Sequence, residues 1–228
     1  MQKIYKGVTD MQVGGMTGGI YKVCDWLMKL AIVNLLWLSF TLLGLGLFGM
    51  FPATVAMLSV LNRWINQEEF KVVPYFVHVW KETFVRANIM MVLTVIVGAV
   101  LVTNFMIVQS MDGILHLFLK YGLICTFVLY SIVVLYVLPI LSHHSHGGWH
   151  TIKMSFITGT LHPVRTGLLL GGYVLLYLII RSFPGVIPFY SVSLIGIWTT
   201  VILAPVMMRE KEENSQGTKV ERNKMVRT

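Results

Sequence analysis

Histidine is the residue type in this sequence best suited to chemistry, because a neutral imidazole binds zinc and similar metals. Five of the seven histidines lie in residues 142–163, and four of these fall in the run HHSHGGWH. The spacing of this run matches no standard metal motif, and no cysteine or carboxylate lies beside it to complete a ligand set. We therefore predict no metal and no cofactor, and we interpret as solvated loop residues His143, His144, His146, His150 and His162.

Other signatures of catalysis are missing from the sequence. It contains no phosphate-binding GxxxxGKS or GxxxxGKT loop, no HExxH zinc motif and no GxSxG nucleophile motif. Its long apolar segments hold no aspartate or glutamate. A charge at the bilayer centre costs about 2.5–3.5 kcal/mol, so it is retained only for a use such as proton transfer. The sequence thus predicts neither an enzyme nor a proton-driven pump, and it leaves open a passive facilitator lined by Asn34, Asn88 and Asn104.

The composition is that of a membrane protein. Of 228 residues, 56% are hydrophobic and 12% are charged, whereas a soluble domain carries about 25% charged residues. The formal net charge is +8, but lysine and arginine lie mainly in short connections and in the two tails. That distribution indicates membrane orientation rather than nucleic-acid binding. The two cysteines, Cys24 and Cys125, are not at motif spacing, so no disulfide framework is predicted.

An uncharged run from Leu30 to Leu61 sets the topology. It is longer than one crossing, which takes about 20 residues, and its middle holds the helix breakers Gly44, Gly46, Gly49 and Pro52. We predict a first helix over residues 26–45 and a second over residues 52–67, with Pro52 in its first turn. The second helix would be short, about 24 Å at 1.5 Å per residue. Four more apolar segments follow, at residues 87–108, 114–141, 164–180 and 189–208.

The predicted fold is an all-α, polytopic transmembrane bundle with six crossings. Lysine and arginine counts place both tails and the two long loops, residues 62–86 and 142–165, in the cytoplasm. Within the first loop, residues 74–86 form an amphipathic helix that we expect in the inner interface. A five-crossing alternative treats residues 52–67 as re-entrant. Residues 1–208 form one membrane domain, and residues 209–228 form a charged, disordered cytoplasmic tail.

Two kinds of residue are predicted to hold the helices together. Gly167 and Gly171 have small-xxx-small spacing inside an apolar segment, which predicts close helix packing. The asparagines of the apolar segments are interpreted first as hydrogen-bonding contacts between helices.

The stretch NLLWLSFTLLGLGLFGMFPATVAMLSVLNRW, followed by FVHVWKETFVRAN, resembles the YesL-like family of small bacterial integral membrane proteins. The resemblance covers roughly residues 16–208. It implies a cytoplasmic-membrane protein of mainly Gram-positive bacteria, encoded near genes for sugar-uptake ABC transporters and two-component systems. It supplies no catalytic residues. Its most telling positions are Asn34, Trp37, Gly44, Pro52, Ala53, Thr54, Arg63, Trp64, Phe84 and Asn88.

Three functional hypotheses follow from these observations. The first is a non-enzymatic accessory or regulatory protein associated with carbohydrate uptake, which docks transporter or sensor-kinase subunits through its inner amphipathic segments. The alternative is a small facilitator or permease for a neutral solute such as a sugar. The third, a membrane-embedded enzyme that uses the histidine loop, has only HHSHGGWH to support it. All three predict the lipid bilayer as a partner and no nucleic acid.

Overall fold

The computed structural model describes residues 16–110, 113–143, 148–182, 185 and 190–206. Over these residues the chain forms α-helices and no strand. The helices are α1 (Met16–Leu43), α2 (Leu47–Ile65), α3 (Val72–Gln109), α4 (Ile114–His143), α5 (Gly148–Leu161), α6 (Pro163–Ser182) and α7 (Tyr190–Val206). The predicted tail at residues 209–228, together with His144 and His146, lies outside the described residues.

Four of the described helices are long and apolar enough to cross a membrane. They contain the segments Gly19–Leu43, Val72–Gln109, His116–His143 and Pro163–Ser182. The all-helical membrane bundle is therefore confirmed, whereas the count of six crossings is not. The other two predicted crossings correspond to α2, whose last turns contain Asn62 and Arg63, and to the shorter apolar helix α7.

Helix α2 begins earlier than the sequence indicated. It starts at Leu47 and spans 19 residues, about 28 Å rather than about 24 Å. The prediction that Pro52 occupies the first turn is wrong, because Pro52 lies in the second turn, inside the helix. The reversal before it is short: Leu45 and Gly46 both adopt positive φ, of 61° and 73°, so the chain turns within Gly44–Gly46 and re-enters a helix at once.

The hairpin of α1 and α2 is closed by glycine contacts. A Cβ atom on Gly44 would collide with the Cα of Gly49, and a Cβ on Gly49 would collide with the carbonyl oxygen of Thr41. Nearer the centre of the hairpin, the indole Nε1 of Trp37 donates a hydrogen bond to Thr54 Oγ1 at 2.9 Å. The glycines let the two backbones approach, and the tryptophan fixes their register.

Helix α3 combines an amphipathic and an apolar part in one continuous helix of 38 residues. Its length of about 57 Å exceeds a hydrocarbon core of ~30 Å, so part of it extends beyond the membrane. In its first turns Phe76 is fully buried while Lys81 and Glu82 are exposed. The buried side packs on α1: the ring of Phe40 lies 5.2 Å from that of Phe76 and 5.4 Å from that of Trp80.

Residues 142–163, predicted as a connection, contain a helix of their own. Helix α5 has 14 residues, and its buried side is made of small or hydroxyl side chains: Thr151, Ser155, Thr158 and Gly159. A Cβ on Gly159 would collide with Ile132 of α4. Because the polar residues face inward and Trp149 is 81% exposed, the usual apolar pattern of a helix face gave no signal here.

Helix α2 forms the centre of the bundle. Nine consecutive residues, from Ala53 to Leu61, include eight that are buried, and Val55, Val60 and Leu61 are fully inaccessible. They pack with residues of the surrounding helices in one apolar cluster that includes Leu30, Val33, Phe76, Val79 and Val137. The segment that was predicted to be the shortest crossing is therefore the one most enclosed by protein.

Candidate functional site

A polar cavity lies where the end of α2, the first half of α3 and the end of α4 meet. We call it the polar end pocket. Its volume is about 170 Å³, and its lining residues are Ser59, Tyr75, Val79, Glu82, Thr83, Arg86, Leu141, Ser142 and His143. Most of them carry hydroxyl, carboxylate, guanidinium or imidazole groups, so this cavity can bind a polar group.

Hydrogen bonds between α2 and α4 form one wall of the polar end pocket. The buried Ser59 hydroxyl lies 3.0 Å from the carbonyl oxygen of Ser142, a residue 83 positions away, and 3.0 Å from that of Val55 in its own helix. Asn62 Nδ2 lies 3.4 Å from His143 Nδ1. These contacts place the C-terminal ends of α2 and α4 at the same end of the bundle.

Arg63 organises the connection from α2 to α3. Its guanidinium carbon lies 3.9 Å from the centre of the Tyr75 ring and 5.4 Å from that of Phe70. Its Nε lies 3.3 Å from a carboxylate oxygen of Glu68. Cation–π contacts at partly exposed sites contribute about 0.5–1 kcal/mol. Because Tyr75 also lines the polar end pocket, Arg63 positions one of the pocket's side chains.

The polar end pocket opens beside an exposed, charged face of α3. His78 Nδ1 lies 3.9 Å from a carboxylate oxygen of Glu82, and Glu82 borders both the pocket and a shallow depression formed with Val73, Pro74, Val77 and Lys81. We call this depression the α3 face. Within the described residues, no group of three or more histidine, cysteine, aspartate or glutamate side chains is placed to hold a metal ion.

The residues singled out from the sequence are spread over several contacts instead of forming one site. Arg63 and Trp64 lie at the α2–α3 connection, where the Trp64 ring is 6.4 Å from that of Phe70. Trp37, Gly44 and Pro52 belong to the α1–α2 hairpin.

The three asparagines proposed to line a solute path are also apart. Asn34 is buried, and its Oδ1 accepts a hydrogen bond from the backbone N–H of Ser193 in α7. Asn88 Nδ2 donates to the carbonyl oxygen of Phe84 in its own helix. Asn104 is exposed and donates to that of Val100. The first acts between helices as predicted, whereas these bonds of the other two lie within α3.

The prediction of close packing at Gly167 and Gly171 is wrong within this chain. No atom of the described chain outside their own helix turns lies within 4 Å of a Cβ built on either residue. The close contact is at the neighbouring Gly172, where a Cβ would collide with the indole of Trp198 in α7. The helix is rotated relative to the predicted contact, because Tyr136 and Tyr173 fix it through bonds to Thr166 and Thr199.

The sequence interpretation missed several residues of the polar end pocket, above all Ser59, Tyr75 and Ser142. Serines of apolar helices usually bond within their own helix, so they give no signal by type alone. The available signal was positional: each residue lies in the first or last turns of a long helix, beside the charged ends that the orientation rule identified.

The described helices, with their apolar outer surfaces and one polar end, define a polytopic α-helical membrane protein. Comparisons identify its family. A family described as "Protein of unknown function, DUF624" matches residues 30–105. The chain belongs to this YesL-like family of proteins of unknown function.

Three relatives from Bacillus subtilis (strain 168) are similar over most of their length. "Uncharacterized protein YteU" is 30% identical over 207 residues, 90% of this chain and 93% of the relative. "Uncharacterized protein YesV" is 29% identical over 183 residues, 80% and 88% of the two chains. "Uncharacterized protein YesL" is 28% identical over 193 residues, 83% and 90%. No solved structure matches the chain significantly.

Proposed function

We propose that this protein is a non-enzymatic accessory or regulatory protein of the cytoplasmic membrane that binds a partner protein at its polar end. The observation that carries the proposal is the position of the polar end pocket directly beside the exposed α3 face, with Glu82 common to both. The main cavities among the apolar helices are lined by apolar residues, so the bundle offers polar recognition mainly at this end.

The α3 face has the properties of a rigid docking surface. Its own side chains carry both signs of charge, from Lys81 and Glu82, and charge complementarity of this kind gives specificity between proteins. The opposite side of the same helical turns is held by Phe76 against Phe40. A partner would therefore bind a surface that is already ordered, at a low cost in conformational entropy.

The proposed topology has six crossings and both termini in the cytoplasm. Helix α2 is about 28 Å long and α7 about 25 Å, close to a hydrocarbon core of ~30 Å. The Ser59–Ser142 contact supports this arrangement, because it brings the ends of α2 and α4 together as an alternating six-crossing path requires. The basic connections then place the polar end pocket and the α3 face in the cytoplasm.

The proposed link to carbohydrate uptake rests on the family resemblance, which implies transporter or sensor-kinase subunits as partners. The alternative, a facilitator for a neutral solute such as a sugar, receives less support. It requires polar side chains along a common path, and the Asn88 and Asn104 amides are bonded within their own helix.

Affinity purification from cells at native expression tests the proposal. We expect the wild-type chain to enrich a transporter or sensor subunit, and the charge-exchanged variant Lys81→Glu/Glu82→Lys to lose it. Lys22→Glu, which changes an exposed lysine of α1, is the matched control and retains the partner. Equal recovery of the same proteins with all three chains would contradict docking at the α3 face.

A further inference from the structure

A long apolar groove between α3 and α4 is a further feature that the proposed docking function does not use. Its first part has a volume of about 310 Å³ and is closed at one end by Ile152 and Phe156 of α5. Its second part, of about 480 Å³, continues from Leu101 toward Gln109. We propose that the first part, which we call the α5 groove, is a binding site for the acyl chain of an anionic phospholipid.

The lining of the α5 groove suits hydrocarbon rather than a polar solute. It contains three hydroxyl groups, and each is already bonded to a backbone carbonyl. Thr94 donates to Met90 at 2.9 Å, Thr126 to Gly122 at 2.9 Å and Tyr130 to Thr94 at 2.7 Å. The groove therefore presents an apolar surface with its hydroxyl donors in use.

The length of the α5 groove matches one leaflet of a bilayer. It extends along α3 from Met90 to Leu101, about 16 Å at 1.5 Å per residue. That is roughly half of a ~30 Å hydrocarbon core. A single acyl chain entering from the α5 end would thus lie within one leaflet.

Helix α5 supplies a headgroup position at the mouth of the groove. Met90 contacts Gly148 and holds the start of α5 beside α3. On the exposed side of α5, Trp149 is 81% and Phe156 44% accessible, and Lys153 is exposed between them. Exposed tryptophan and lysine are typical of the headgroup layer. Among the described residues no carboxylate pairs with Lys153, so its ammonium can bind a phosphate.

Native mass spectrometry of the full chain, equilibrated in detergent with equal amounts of phosphatidylglycerol and phosphatidylcholine, tests this assignment. We expect preferential retention of one phosphatidylglycerol. Lys153→Gln should lower that retention about fivefold, the effect of one lysine near an anionic lipid surface. Lys22→Gln removes an equivalent exposed lysine from α1 and should change nothing.

Filling the groove tests the acyl-chain part of the assignment. Val97→Trp from α3, or Leu129→Trp from α4, places a bulky side chain in the groove at partly exposed positions. Whichever variant keeps the wild-type unfolding temperature should lose both lipids. Equal retention of the two lipids by the wild type, equal losses in Lys153→Gln and Lys22→Gln, or a second protein chain retained in place of lipid would overturn the proposal.

Discussion

The amide oxygen of Asn34 in α1 accepts a hydrogen bond of 3.2 Å from the backbone N–H of Ser193 in α7, 159 residues further along the chain. Ser193 is the fourth residue of α7, and the first four N–H groups of a helix have no partner inside it. The side chain of the first described helix therefore satisfies the start of the last. Since both residues are buried, loss of this bond would leave a polar group without water.

We predict that Asn34→Leu lowers the free energy of unfolding by about 0.5–2 kcal/mol, the range for hydrogen bonds between membrane helices. The control Asn104→Leu removes an exposed amide bonded to its own helix and should change stability by less than about 0.5 kcal/mol. Thermal unfolding in detergent measures both. Similar losses for the two variants would show that the Asn34–Ser193 bond has no special weight.

Two glycine substitutions should have effects of opposite sign. Gly49→Ala forces a Cβ against the carbonyl oxygen of Thr41, and overpacking of this kind destabilises by about 1–3 kcal/mol. Gly167→Ala meets open space in the described chain and should be neutral or stabilise α6 by up to about 1 kcal/mol. Unfolding temperatures in one detergent decide the matter. Destabilisation by Gly167→Ala would reveal a contact outside this chain.

The stacking of Arg63 on Tyr75 predicts a difference between conservative substitutions. Arg63→Lys loses the planar contact with the ring and should destabilise the α2–α3 connection by about 0.5–1 kcal/mol. Tyr75→Phe keeps the ring and should have a smaller effect. Limited proteolysis within residues 66–71 reports on this connection. Cleavage of Arg63→Lys at the wild-type rate would exclude a stabilising role for the stack.

The six-crossing topology predicts which positions react with a membrane-impermeant thiol reagent. On a Cys24→Ser/Cys125→Ser background, single cysteines replace the exposed residues Lys81, His150 and Gly113. Cysteines at 81 and 150 should react only from the cytoplasmic side, and the cysteine at 113 only from the outside. Labelling of 81 and 150 from opposite sides would contradict the topology.

Apolar runs predicted the long helices because a chain in lipid must satisfy its backbone internally, and a helix does so within one segment. Helices α4 and α6 accordingly extend only a few residues beyond the predicted segments. Helix α5 was missed for the opposite reason: it buries Thr151 and Ser155 instead of an apolar face.

The polar end pocket was beyond sequence reasoning because it depends on which helices become neighbours. Nothing in the type or spacing of Ser59 indicates that it meets Ser142 across 83 residues. The contact of Gly172 with Trp198 has the same origin. One turn of rotation separates Gly172 from the predicted Gly167 and Gly171, and helix rotation is set by packing partners rather than by local sequence.

Site-directed photo-cross-linking in intact cells tests the proposed docking surface most directly. A photoreactive amino acid replaces Lys81 on the α3 face or, as a control, Tyr177 on the outer surface of α6, which is 61% exposed. The account predicts a discrete protein adduct from position 81 that is absent from position 177. Adducts from both positions, or from neither, would contradict a docking site at the polar end of the bundle.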